Sequence, residues 1–264
     1  MRTEIQNRIP AECPWRDTLY WYDSIDSTNL KARELAAAGA PQGTTVIAGQ
    51  QTAGRGRMGR SFSSPEGMGV YLSLILRPAC KPEQLMHLTC AVAVAVCHAL
   101  ERTAGIRPGI KWINDLVLEK RKLGGILTEL SISPTTGLVD YAIVGIGINC
   151  LQETEDFPQE LQSIATSLRL ATGKAIPPES VAAAMVEKLA DMALFTQKAQ
   201  IMDRYKANCI TLGQDIQLLR ADTIRYGKAV DLDENGSLIV EFPAGNREII
   251  SSGEASIRGM YGYI

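Results

Sequence analysis

The sequence lacks the features that mark secreted, redox and metal-binding proteins. Its 264 residues include two histidines, and its six cysteines form no C-x-x-C pair. The first residues, MRTEIQNRIPAEC, contain no apolar core of the kind found in signal peptides. We therefore expect reduced thiols in a cytoplasmic protein. His87 and His98 lie in an apolar stretch, and neither is a good candidate for a catalytic base.

The chain also lacks a charge excess and a long hydrophobic run. The formal net charge is -2, whereas dedicated nucleic-acid binders usually carry a basic surplus. The most apolar stretch, residues 85–100, is shorter than the roughly 20 residues that cross a bilayer. Hydrophobic residues make up 45% and charged residues 21%, as in ordinary globular proteins. We expect no nucleic-acid partner and no membrane span.

The order of predicted elements indicates an α+β fold with a mixed sheet. Strands often follow one another directly, which fits α+β better than strict β-α-β alternation. After about residue 210 the pattern changes to short strands and turns, which predicts a small β-barrel. The sequence thus predicts a larger domain at 1–210 and a small one at 211–264. Strands are predicted at 18–23, 44–50, 69–76, 109–113, 116–119, 125–130 and 139–149, and helices at 27–39 and 83–104, with two or three more within 150–208.

A loop at residues 50–60 combines glycine with three arginines and no acid. Its G-x-G-x-x-G pattern is not a dinucleotide fingerprint, because a strand rather than a helix follows it. Arginine forks fit phosphate or carboxylate, and glycine allows the backbone to approach a ligand closely. We therefore predict a mobile loop that closes over an anion and excludes water. The alternative is an exposed basic loop without a role, the usual fate of a charge run.

Residues 107–125 form a second basic region. Asn114 and Asp115 are predicted in a tight turn between strands. Lys122 precedes a pair of glycines where the chain re-enters the sheet, a position from which a lysine can neutralise an anion in a cavity. The alternative for the basic segment 120–122 is a solvated hairpin turn.

Glycines also interrupt the apolar strand at 139–149. Gly145 and Gly147 indicate either close approach of a ligand or a tight contact between sheet and helix, and these two readings are about equal. Asn149, at the end of this strand, is placed to contact a base or a sugar.

Taken in order, these motifs resemble the biotin–protein ligase family from about residue 18 to the end of the chain. Ile113 stands where the family usually has proline, which is expected to loosen that turn without removing a functional group. Met58 stands where some members have another arginine. The motifs are Ser27-Thr28-Asn29, Gln51 to Arg57 with Gly59-Arg60, Lys111-Trp112, Asn114-Asp115-Leu116, Lys122-Leu123 with Gly125-Ile126-Leu127, and Gly145 with Gly147-Ile148-Asn149.

The resemblance implies a fold and an activity. The fold is a class II synthetase-like catalytic domain with a small C-terminal SH3-like β-barrel. The enzyme would activate biotin with ATP to biotinyl-5'-AMP and pass biotin to a lysine of a biotin carboxyl carrier protein, such as that of acetyl-CoA carboxylase. Some bacterial members carry an N-terminal DNA-binding domain. About 17 residues precede the first predicted strand here, so we expect the ligase-only form.

The resemblance also implies roles for single residues. Mg²⁺ is expected from ATP chemistry, with its ligands unassigned. The oligomeric state is left open, with a homodimer through sheet edges as one alternative. The catalytic residues would be Lys122, Arg57 and Arg55. The biotin-binding residues would be Ser27, Thr28, Asn29, Gln51, Arg55, Gly56, Arg57 and Lys122. The ATP-binding residues would be Arg57, Arg60, Lys111, Trp112, Asn114, Asp115 and Asn149.

Two other functions compete with this interpretation. A lipoate–protein ligase shares the fold and the adenylation chemistry, although the Arg-Gly-Arg loop and the Lys-Trp-x-Asn-Asp segment favour biotin. A non-catalytic regulator that binds biotinyl-adenylate is the second alternative. The acidic pI of about 5.8 and the short N-terminal segment argue against it.

Overall fold

Two β-sheets organise the chain in the computed structural model, which describes residues 1–192, 194–220, 223–251 and 256–259. The first is a seven-stranded mixed sheet in the order β1-β2-β3-β7-β6-β5-β4, and the second has five strands in the order β11-β10-β9-β8-β12. The predicted α+β class with a mixed sheet and a small C-terminal β domain is confirmed. The end of the predicted second domain, residues 260–264, lies outside the described residues.

In the first sheet several strands follow one another directly, as β2 and β3 do and as β4 to β7 do. The strands are β1 (Leu19–Ile25), β2 (Thr45–Gln51), β3 (Gly69–Leu76), β4 (Gly109–Lys111), β5 (Asp115–Leu118), β6 (Arg121–Ile132) and β7 (Val139–Asn149). The helices are α1 (Arg2–Arg8), α2 (Thr28–Ala37), α3 (Leu88–Ala104), α4 (Leu168–Thr172), α5 (Pro178–Asp191) and α6 (Lys198–Asn208).

Helices cover the two faces of the first sheet unequally. Because side chains alternate along a strand, one face of β3 and β7 meets the large core around α3 and α5, and the other meets α2. On the α2 side the apolar cluster is small, consisting of Ala32, Ala36, Val46, Ile75 and Ile143. Farther along that face lie Gly145, Gly147 and Ser73, and this part of the face is left for the site described below.

Helix α2 begins where the sequence predicts it. Ser27 has an extended backbone and its carbonyl accepts the Lys31 amide at 3.1 Å, so Thr28 and Asn29 fall in the first helical turn. Ser27, Thr28 and Asn29 are all buried. The helix start therefore directs short polar side chains toward the sheet.

The long predicted helix at 83–104 is interrupted. Pro82–Leu85 forms a tight 3₁₀ turn, and α3 starts only at Leu88, after His87. Gly105 ends the helix in a left-handed conformation, as predicted. The segment Pro82–Ala104 has the length and apolarity of a membrane span, but 72% of its most apolar window is buried inside the protein. Such burial is typical of a core helix.

Three further features differ from the sequence prediction. The tight turn predicted at Asn114 and Asp115 is only partly correct, because β4 already ends at Lys111 and Asp115 pairs with Lys111 as the first residue of β5. The turn between β5 and β6 is formed by Glu119 and Lys120, both left-handed, so the predicted turn at 120–122 starts one residue and ends two residues too late, and Lys122 lies within a strand. A two-residue turn of this kind matches the twist of the flanking strands. Helix α1 was not predicted at all. Its Ile5, together with Ile9 just after its end, is buried against the main core, and the spacing of four is the signal.

The second sheet consists of β8 (Asp215–Arg220), β9 (Thr223–Leu232), β10 (Leu238–Glu241), β11 (Arg247–Ile250) and β12 (Ser256–Gly259). All of its strand pairs are antiparallel. The predicted turns are present, with Gly236 and Gly245 in left-handed conformations. The turn at 233–237 reaches the first sheet, because the Trp112 indole N–H donates to the Gly236 carbonyl at 2.8 Å.

Candidate functional site

A cavity of about 500 Å³ opens on the α2 face of the first sheet. It collects every predicted site residue except Asn149. Those that line it are Ser27, Thr28, Asn29, Gln51, Arg55, Gly56, Arg57, Arg60, Lys111, Trp112, Asn114, Asp115 and Lys122.

The floor of the cavity is a low patch in three neighbouring strands. Gly147 of β7 is paired with Tyr71 of β3 on one side and with Gly125 of β6 on the other. One step along, Gly145 lies between Ser73 and Leu127. Because these residues share one face, glycine at the centre leaves a depression in the sheet.

Protein side chains enter part of that depression. A methyl group on Gly145 would lie 2.0 Å from the Asn29 amide oxygen, and one on Gly147 would lie 2.5 Å from the Phe62 ring. The predicted tight contact between sheet and helix is present at Gly145, and close approach of a ligand stays a prediction. Gly145 admits a helix side chain, and both glycines line the cavity.

A chain of buried hydrogen bonds fixes the polar end of the cavity. The Thr28 amide and hydroxyl donate to Gln51 Oε1 at 2.9 and 3.0 Å. Gln51 Nε2 donates to Ser64 Oγ at 2.9 Å, and the Ser73 hydroxyl lies between Thr28 Oγ1 at 2.8 Å and Asn29 Oδ1 at 2.6 Å. The network specifies which end of each amide faces the cavity, which favours recognition of a neutral polar ligand.

The arginine loop is folded as a hairpin over the cavity. The Gly56 amide donates to the Arg60 carbonyl at 2.7 Å, and the Phe62 amide donates to the Gly54 carbonyl at 2.9 Å. Arg57 reaches across the cavity, where its NH1 donates to Asn114 Oδ1 at 2.9 Å. Burial lowers the pKa of Arg57, an effect opposed by nearby Asp115, and the guanidinium stays charged.

Lys122 lies opposite this loop and is held by both backbone and side chain. Its amide donates to the Ile164 carbonyl at 2.7 Å, and its carbonyl accepts the Thr166 amide at 2.8 Å. Its ammonium group donates to Asp115 Oδ1 at 2.6 Å. The segment 164–166 thus acts as a short added strand that fixes the direction of Lys122.

The turn between β4 and β5 is held from the C-terminal side of the chain. The Tyr205 hydroxyl donates to the Ile113 carbonyl at 3.0 Å, and the Trp112 amide donates to Thr211 Oγ1 at 2.9 Å. On the other side, Asn114 Nδ2 donates to the Ile126 carbonyl at 3.0 Å. The turn is therefore a firmly held wall of the cavity, with Ile113 buried within it.

A polar pocket beside clustered cations suits a ligand with a neutral head and acidic tail next to a polyphosphate. Sequence comparison identifies the family. The model of the "Biotin/lipoate A/B protein ligase family" matches residues 21–149, and that of the "Biotin protein ligase C terminal domain" matches residues 211–258. The bifunctional ligase/repressor BirA of Bacillus spizizenii is 39% identical over 253 residues, which cover 95% of this chain and 77% of that protein.

The chain belongs to the biotin protein ligase family. The biotin--[acetyl-CoA-carboxylase] ligase of Mycobacterium tuberculosis is 30% identical over 255 residues, covering 93% of this chain and 91% of that one. The structure of the Aquifex aeolicus biotin protein ligase in complex with biotin and ATP is also similar. Its TM-score is 0.77 at 32% identity, covering 92% of this chain and 99% of that one.

In this member of the ligase family, Asn149 does not reach the cavity. Its Nδ2 donates to the Thr166 carbonyl at 3.0 Å, and its Oδ1 accepts from Gln152 Nε2 at 3.2 Å. The side chain is buried behind the segment that pairs with Lys122. The sequence could not foresee this, because residues 149 and 166 meet only in the folded chain.

Several residues of the ligase site were missed from sequence. Phe62, Ile164 and Met58 line the cavity, and Ser64 and Ser73 hold its polar network. Met58 lies inside the basic loop and Phe62 lies two residues after it, so these two residues offered a local signal. The serines stand in strand or loop sequence where serine is commonplace.

The ligase site offers few metal ligands. Among the residues that the structure describes, no group of three His, Cys, Asp or Glu side chains is arranged to hold a metal ion. Asp115 is the acidic residue of the described cavity lining. Mg²⁺ commonly uses one or two carboxylates together with substrate phosphates, and this donor set fits that pattern.

Proposed function

We propose that the chain condenses biotin with ATP to biotinyl-5'-AMP, releasing pyrophosphate, and then transfers biotin to a lysine of a carrier protein. The observation that carries this proposal is the composition of a single cavity. A neutral hydrogen-bonding network at one end meets the five cationic side chains of the cavity lining, those of Arg55, Arg57, Arg60, Lys111 and Lys122. A urea-containing acid beside a triphosphate matches that division.

The polar end is proposed to bind the biotin head group. Ser27, Thr28, Asn29 and Gln51 supply donors and acceptors, and neighbouring groups fix the directions of those on Thr28, Asn29 and Gln51. Arg55, Gly56 and Arg57 of the loop would cover the carboxylate arm. Glycine at position 56 lets the backbone approach, and the arginines supply forked donors.

The cationic end is proposed to bind ATP. Arg57 and Arg60 belong to the loop, and Lys111, Trp112, Asn114 and Asp115 belong to the wall formed by β4, the following turn and β5. The position of Asn149 supports an indirect role, since it holds the segment next to Lys122 rather than lining the cavity. Trp112 is buried and serves as packing for the wall.

The chemistry follows from repulsion between two anions. A carboxylate must approach the α-phosphate of ATP, and Lys122 with Arg55 and Arg57 would offset the repulsion and hold the groups in line. When bound to the triphosphate and Asp115, Mg²⁺ would neutralise further phosphate charge. The folded loop would shield the mixed anhydride from water until the carrier lysine attacks the acyl carbon.

The remaining expectations are proposals with narrower support. We assign residues 1–210 to catalysis and 211–264 to a C-terminal SH3-like domain, because the second sheet begins at Asp215. The carrier is proposed to be the biotin carboxyl carrier domain of acetyl-CoA carboxylase, on the printed name of the Mycobacterium relative. A cytoplasmic location is supported by six free cysteines, five of them buried.

Acid-dependent exchange of labelled pyrophosphate into ATP tests the proposal. We expect exchange with biotin, and none with lipoate or without acid. Labelled pyrophosphate enters ATP only when an acyl-adenylate reacts back with it to give the free acid and ATP. Exchange with lipoate alone would instead assign the protein as a lipoate–protein ligase. Absence of exchange with either acid, from folded protein with Mg²⁺ present, would leave a binding-only regulator.

A further inference from the structure

Glu129 lies at the rim of the cavity and has no role in the function proposed above. It follows Gly125 and Leu127 on the same face of β6, because side chains alternate along a strand and both of those residues line the cavity. Its side chain is 21% exposed, which leaves the carboxylate in contact with protein on most sides.

Three donors surround this carboxylate. Asn29 Nδ2 donates to Oε2 at 2.8 Å, and Arg33 NH2 donates to Oε1 at 2.7 Å. Arg55 NH1 lies 3.4 Å from Oε1. One acidic group thus contacts the polar end of the cavity through Asn29 and the arginine loop through Arg55.

The contact with Asn29 determines how that amide is oriented. An ionised carboxylate only accepts hydrogen bonds, so the nitrogen of Asn29 must face Glu129. The oxygen of Asn29 then faces the Ser73 hydroxyl at 2.6 Å, over the space left by Gly145. One N–H and one lone pair of the Asn29 amide remain for a ligand, in directions that Glu129 has fixed.

The contact with Arg55 concerns the other side of the ligand. Arg55 lies at the base of the hairpin that the loop forms, and Arg57 nearer its tip is held by Asn114. An ion pair at a partly exposed position contributes little stability by itself. Its effect here is geometric, since it holds the base of the loop against β6, whose Glu129 also accepts from Asn29 of α2.

We propose that Glu129 is a positioning residue that fixes the Asn29 amide at the polar end of the cavity, where biotin is proposed to bind, and anchors the arginine loop through Arg55. This inference rests on the proposed function and deepens it, because it names what orients the head-group contacts. It predicts that loss of the carboxylate weakens the binding of the acid substrate and spares the binding of ATP alone.

The test is Glu129→Gln, which keeps the size of the side chain and removes its charge. A single amide oxygen cannot serve Asn29, Arg33 and Arg55 together. We expect the biotin Kd measured by calorimetry to rise about tenfold, the loss typical of a hydrogen bond to a charged group, with an unchanged Kd for ATP. Glu129→Asp, which restores the charge, should recover part of the biotin affinity.

A matched control comes from the second sheet. Glu248 forms a two-point ion pair with Arg225 at 2.7 and 2.8 Å, far along the chain from the cavity residues, and Glu248→Gln removes the same charge. This variant should bind biotin as the wild type does. Thermal unfolding of both glutamine variants shows that each is folded before affinity is compared.

Four results are informative. A selective rise in biotin Kd with rescue by aspartate supports the inference. Wild-type biotin affinity in Glu129→Gln overturns it, and so does an equal loss of biotin and ATP affinity, which indicates a merely structural role. Biotin-dependent pyrophosphate exchange is measured first on the wild type. If that exchange is absent, the proposed function itself fails and the inference falls with it.

Discussion

Hydrogen bonds to neighbouring segments hold both the backbone and the side chain of Lys122 in position. Backbone hydrogen bonds to the segment 164–166 fix its Cα, and Asp115 accepts from its ammonium group at 2.6 Å. Its side chain is 31% exposed and lines the cavity, at the place where we propose that the two anionic substrates meet. A single positive charge held in this way stabilises negative charge that develops on a neighbouring ligand.

Replacing Lys122 with alanine should abolish adenylate formation while the protein stays folded. We expect the rate of biotin-dependent pyrophosphate exchange to fall by at least about 10²-fold, as for loss of one positioned electrostatic group. Arg121→Ala is the control, because Arg121 precedes Lys122 on the same strand, points to the opposite face and pairs with Glu119. Near-normal exchange in Lys122→Ala would remove the catalytic role.

At the scale of elements, the turn between β4 and β5 depends on parts of the chain far from it. Tyr205 of α6, Thr211 and Gly236 of the turn before β10 all bond to Trp112 or Ile113. The wall assigned to ATP is therefore supported by helix α6 and by the second sheet. A change in those supports should affect the nucleotide more than the acid.

Tyr205→Phe tests that dependence. Removing the hydroxyl leaves the buried Ile113 carbonyl without its donor, a loss of about 1–3 kcal/mol. We expect the KM for ATP to rise severalfold and the KM for biotin to stay unchanged in steady-state ligation. Tyr226→Phe, an exposed tyrosine on β9, is the matched control. Equal changes in both KM values would indicate general loosening of the fold.

At the scale of the whole molecule, His87 links the start of α3 to a distant segment. Its Nε2–H donates to the Leu194 carbonyl at 3.0 Å, and the ring is buried. Burial lowers the pKa of His87, while the Leu194 hydrogen bond opposes that shift. The folded protein therefore keeps this ring neutral at pH values where the unfolded chain binds a proton.

This difference predicts acid sensitivity. Stability should be full above the unfolded pKa of about 6.5 and decline as pH falls toward the lower folded pKa, by at most about 1.4 kcal/mol per pH unit. Urea unfolding at about pH 7.5 and about pH 5.5 measures it. His87→Gln should be less stable at neutral pH but lose less on acidification than the wild type. Unchanged acid sensitivity would exclude His87 as a cause.

Much of the fold could be read from local patterns. The strands at 44–50, 69–76 and 139–149 were predicted within a residue of β2, β3 and β7, because continuous apolar or β-branched runs report burial directly. The long helix was misjudged at its start, because the chain begins it with a 3₁₀ turn. The hairpin turn after β5 was predicted one to two residues too late, because non-glycine residues can adopt the left-handed conformation that such a turn needs.

The sequence by itself determined the family, the order of the elements and most of the cavity lining, since these depend on short motifs and local periodicity. Only the tertiary structure decided how those residues are oriented. Asn29 meets Ser73 across 44 positions of the chain and Glu129 across 100. It also decided that Asn149 lies behind the cavity. Hydrogen-bond direction depends on which groups the folded sheet brings together, and no local pattern records that.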